Sequence, residues 1–78
     1  MLHSECRPER LNLLLERNHC SPEQLSAFTE IPMTTIRLYL RGARDTISTR
    51  NLFFIAKFFD MPMKDLIDFL ADVQKPSE

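Results

Sequence analysis

Three arginines punctuate the middle of the chain: Arg37, Arg41 and Arg44. Arg37 and Arg41 lie four residues apart, so a helix sets both guanidinium groups on one face. A guanidinium grips phosphate oxygens through a planar fork of N–H donors, and in a major groove it can pair both acceptors of guanine. The chemistry on offer is therefore recognition of phosphates and base edges. A second set, His3, Cys6, His19 and Cys20, has the ligand types of zinc sites. The first predicted helix separates its two halves, and about eleven helical residues at ~1.5 Å each span roughly 16 Å. The four groups therefore cannot close on one ion. Nor can Cys6 reach Cys20 for a disulfide, which needs Cα atoms within about 7 Å. Two reduced thiols fit a cytoplasmic protein. Neither histidine has a nucleophile beside it and no carboxylate pair is framed by a pocket-forming pattern, so no catalysis and no cofactor are expected.

Charge sorts along the chain. Of 78 residues, 10 are Lys or Arg and 11 are Asp or Glu, for a net charge of −1. Residues 37–57 nevertheless hold Arg37, Arg41, Arg44, Arg50 and Lys57 against Asp45 alone, while both flanks are acidic. A local basic patch attracts phosphates whatever the total charge. The chain has 1 Gly and no Trp. So little Gly argues against an all-β domain, whose tight turns need it, and excludes a glycine-rich phosphate loop. The apolar runs, such as Leu13–Leu15 and Leu52–Ala56, are too short to span a bilayer, and the acid-bearing start of the chain leads us to expect no signal peptide. A domain this small has a modest core and little room for a substrate pocket.

The elements that must carry these side chains follow from punctuation and period. Pro8 suits a first helical position, and Leu11, Leu14 and Leu15 form one apolar stripe that ends at Asn18-His19-Cys20. Ser21-Pro22-Glu23-Gln24 is a capping box: Ser21 caps, and Gln24 reaches back to the Ser21 N–H. The helix it starts, over 22–28, is expected to turn Leu25 and Phe28 inward and to stop before Pro32. A third helix, 33–41, buries Ile36, Tyr39 and Leu40, turns Leu38 outward, and ends at Gly42 in a left-handed conformation. After a loop over 43–47, Ser48 or Thr49 caps a fourth helix through Phe59, with Leu52, Ile55, Ala56 and Phe59 on one face. Pro62 starts a fifth through about Ala71, buried by Leu66, Ile67 and Leu70. One domain fills residues 1–78, with its core at about 8–72 and a frayed tail over 73–78.

Helices 22–28 and 33–41, joined by a short turn, form a helix-turn-helix pattern. Over about residues 11–70 the chain resembles the phage-repressor and Cro-like helix-turn-helix regulators, the XRE family. The resemblance rests on Ser21-Pro22-Glu23-Gln24-Leu25-Ser26, Ile31-Pro32-Met33-Thr34-Thr35-Ile36, Tyr39-Leu40-Arg41-Gly42 and Leu52-Phe53-Phe54-Ile55-Ala56-Lys57, followed by Met61 to Leu66. It implies an all-α, five-helix repressor-like domain that binds operator-like double-stranded DNA as a homodimer. Its third helix would lie in the major groove. The residues so assigned to DNA are Met33, Thr34, Arg37, Leu38, Arg41 and Arg44. The chain departs from the family pattern at Glu30, where a Gly is usual, and at Thr29, where a Leu is usual. Pro22 also stands where a phosphate-bracing Gln is usual, and Met33 and Leu38 bring apolar side chains to base-reading positions. Those two, with the acidic flanks, frame an alternative: the same fold turned to protein binding, an antiactivator or antirepressor that occupies a transcription factor. Phe54 and Phe58 on the fourth helix and Phe69 on the fifth are the expected dimer or partner interface, because the aromatic side chains exceed what one helix stripe can bury.

Overall fold

A computed structural model describes residues 6–71; the expected frayed tail over 73–78 and His3 lie outside them. A 3-10 turn, Pro8–Arg10, leads into α1 (Leu11–Arg17), followed by α2 (Pro22–Thr29), α3 (Met33–Leu40), α4 (Thr49–Phe58) and α5 (Met63–Ala71), with no strand among the described residues. The chain is all-α, as its apolar period predicts. No described helix is long and apolar enough to cross a membrane.

Two helices, α2 and α4, begin at a serine whose side chain caps them. The Ser21 hydroxyl accepts from the Gln24 N–H at 3.1 Å, and the Gln24 side chain accepts from the Ser21 N–H at 2.8 Å. Between them they satisfy two donors that a helix start leaves open. Ser48, not Thr49, caps α4 by accepting from the Asn51 N–H at 3.2 Å.

Three helix ends share one device. Beyond α1, the Cys20 N–H bonds the Leu15 carbonyl and the His19 N–H bonds that of Glu16. Beyond α3, Ala43 bonds Leu38 and Gly42 bonds Tyr39 in the same way, and beyond α4, Met61 bonds Ala56 and Asp60 bonds Lys57. Each is a Schellman motif, which needs a left-handed residue just past the cap. Gly42 supplies it at φ 74° beyond α3, but His19 (φ 55°) and Asp60 (φ 56°) supply it elsewhere, and Glu30 (φ 63°) ends α2.

The core joins Leu11, Leu14 and Leu15 of α1 to Leu25, Ile31, Ile36, Tyr39, Ile47, Ile55, Ala56, Leu66 and Leu70. Two expectations of burial fail. Phe28 is 53% exposed and Ile67 is 42% exposed. In α2 the inward pair is Leu25 and Thr29, one turn apart, and Phe28 falls at the edge of that narrow stripe. In α5 the stripe is Leu66 and Leu70 with Ala71 beside them, so Ile67 sits on the rim of an apolar cleft of about 200 Å³. That cleft is also lined by Cys6, Ile47 and Leu52. Leu40, expected inside, is half-buried and packs against the core.

The start of the chain is tied to its last helix. The Arg7 N–H donates to the Leu70 carbonyl at 2.7 Å, and Arg10 Nε donates to the Phe69 carbonyl at 2.7 Å. Phe69 packs between core and cations, with the Arg10 guanidinium 4.6 Å and that of Arg17 5.6 Å from its ring centroid.

Candidate nucleic-acid interface

The α2–α3 turn is where this chain solves a geometric problem without glycine. Glu30 takes the left-handed conformation, and Thr29, 2% exposed, secures both sides of it. Its hydroxyl donates to the Leu25 carbonyl at 2.7 Å and accepts from the Ile31 N–H at 3.2 Å. Ser26 Oγ adds a bond to the Ile31 carbonyl at 2.6 Å. The turn thus has its polar groups satisfied in a buried place, where an orphaned donor is costly. It fixes the angle at which α3 leaves α2. The Thr29-Glu30 pair replaces the usual Leu-Gly, a trade that is visible in the sequence only as a departure from pattern.

Beyond the turn, Pro32 stands at the N-cap position of α3 with no side-chain cap bond, its φ of −57° set by the ring. Ile36 and Tyr39 anchor the helix inward, and Asn51 Nδ2 donates to the Tyr39 hydroxyl at 3.0 Å, so the buried phenol is paired. Asn12 Nδ2 donates to the Leu40 carbonyl at 3.1 Å at the other end. With its inner face held, the outer face of α3 is determined. Thr34, Arg37 and Arg41 are exposed, and Met33 and Leu38 are half-buried. Arg44 is exposed in the loop that follows Gly42. Among the described residues Arg37, Arg41 and Arg44 form no ion pair, and α3 itself carries no carboxylate. Uncompensated cations on one rigid face leave their hydrogen-bond donors available to an anionic partner.

The expected interface residues are placed differently from one another. Phe58 and Phe69 pack against the core, and Phe54 is half-buried with the Arg50 guanidinium 5.2 Å from its ring centroid. The aromatic side chains left most open are Phe28 and Phe53. Periodicity turns Phe28 inward, and it does not tell which edge of an aromatic stripe the neighbouring helix covers. Cys6 and Cys20 are both free, and among the described residues no group of three or more His, Cys, Asp or Glu side chains could hold a metal ion. Cys6 lies half-buried on the cleft wall, where burial first, then Glu9 and Asp45 nearby, pushes its thiol pKa above the ordinary value.

A short helix pair held at a fixed angle, with its second helix turned outward and basic, defines a helix-turn-helix domain. The family model described as the Cro/C1-type HTH DNA-binding domain matches residues 10–72, and the chain belongs to that family. No curated protein and no solved structure matches the chain.

Proposed function

We propose that the protein is a transcriptional regulator that lays α3 in the major groove of operator-like DNA. Arg37 and Arg41 are its strongest contacts and Arg44 holds a phosphate. The observation that carries this reading is the outer face of α3, where two exposed arginines stand one turn apart with no carboxylate on the helix. Thr34 offers one hydroxyl to a base edge, and Met33 and Leu38 offer apolar contact, of the kind a thymine methyl accepts. Two copies would occupy half-sites about one helical turn, roughly 34 Å, apart. The pairing edge falls to α5, where Ile67 is exposed.

An electrophoretic shift against random duplex, at low and moderate salt, tests the reading. Binding should weaken steeply with salt. Arg41→Ala should weaken it about equally on all sequences and lower the salt slope by about 1, as loss of one phosphate contact does. Arg37→Ala should also relax sequence preference if its guanidinium reaches a base. No shift at low salt, together with Leu38→Ala or Met33→Ala outranking Arg41→Ala in a reporter assay, would replace this reading with protein binding through the same helix.

A further inference from the structure

We propose that the outer face of α4, with the end of α2, is a docking surface for an acidic segment of a partner protein, its apolar side chains flanked by Asp or Glu. This surface is separate from the arginines of α3. Its apolar part is a strip of aromatic side chains. Phe28 and Phe53 are 53% and 46% exposed. The Phe28 ring meets that of Phe58 edge-on at 5.4 Å, Phe54 lies one turn before Phe58, and Phe53 meets Phe54 at 5.4 Å. Large exposed aromatic side chains joined in this way mark interaction sites more than they mark ordinary surface.

The charge on the strip selects the occupant. Lys57 Nζ stands 5.5 Å from the Phe53 centroid and the Arg50 guanidinium 5.2 Å from that of Phe54. The sequence of α4, TRNLFFIAKF, contains no acid, and neither cation forms an ion pair among the described residues. A cation resting on a ring uses its face for that contact and keeps its outward N–H donors for another group. Lys57 and Arg50 each occupy one face of Phe53 and Phe54, which leaves nucleobases fewer ring faces to stack on. A second copy set against the same strip would bring both sets of Arg50 and Lys57 together without a counter-charge. An acidic segment suits both parts of the surface: its carboxylates pair with the cations, and its apolar side chains cover the exposed Phe28 and Phe53.

The test uses a fluorescein-labelled amphipathic peptide of about 14 residues, Leu and Phe at helical spacing and Asp or Glu elsewhere. A twin carries Lys and Arg in place of the acids. Anisotropy titration of the full chain should show the acidic peptide binding at least about tenfold tighter than the twin. Phe53→Ser and Lys57→Glu should each weaken it about tenfold, while helical circular dichroism stays as in the parent and Phe53→Ser leaves the duplex shift unchanged. Phe28→Ser gives an independent check from α2. Equal binding of the two peptides, or no effect of the substitutions, overturns the proposal. So does displacement of the acidic peptide by oligothymidylate, which would make the strip a nucleic-acid site. Concentration-dependent self-association that Phe53→Ser abolishes would make it a contact between copies. The comparison of the two peptides does not depend on whether α3 binds DNA.

Discussion

Glu30 holds φ 63° in the turn between α2 and α3, a conformation that costs an L residue about 1–2 kcal/mol. Glycine avoids that strain but loses more freedom on folding. Glu30→Gly should therefore raise stability by about 0.5–1 kcal/mol and the melting temperature by several degrees, measured by thermal circular dichroism. Glu30→Ala should bring no such gain. Thr29 next to it makes the opposite case. Thr29→Val keeps the shape but leaves the buried Ile31 N–H without its side-chain acceptor, and should cost about 1–3 kcal/mol in urea unfolding. Thr29→Ser keeps the hydroxyl and should cost less. Cys6 adds a pH effect. Its thiol pKa is raised in the fold, so the unfolded chain loses that proton first. Stability should fall as pH climbs past the ordinary thiol value of about 8.5, and Cys6→Ser should remove that part of the slope.

The helices were legible where local chemistry decides them. Ser21-Pro22-Glu23-Gln24 fixes the start of α2 without help from the rest of the molecule, and the capping box forms as its spacing requires. Ser21→Ala should accordingly cost about 1 kcal/mol, read as a lower urea midpoint with unchanged slope. The stops at Asn18-His19-Cys20 and Gly42 were also marked by composition. What composition did not mark is that His19 and Asp60 would take left-handed angles that glycine alone takes freely; the chain's 1 Gly serves only α3. Side-chain facing was less legible than element position. Phe28 and Ile67 each sit at the margin of an apolar stripe, and only the packing of the adjacent helix decides which margin is closed. The α3 arginines could be placed because Ile36 and Tyr39 fix the helix phase around them.

At the scale of the whole molecule, the 3-10 turn and α5 close the fold on itself. Arg10 contributes both a hydrogen bond to the Phe69 carbonyl and a guanidinium over its ring. Arg10→Ala should loosen α5 before anything else: hydrogen exchange should speed up at the α5 amides while those of α2 and α3 keep their protection. Uniform acceleration across all helices would mean instead that the tether belongs to the global core. The closure between Arg7 and Leu70 has a mechanical meaning as well. A load applied through the two ends of the described chain would fall first on that short seam, not on the turn that sets the angle of α3. Under tension the domain should therefore give way by peeling α5 from the opening turn, and the helix pair that faces a partner should be the last part to feel the pull.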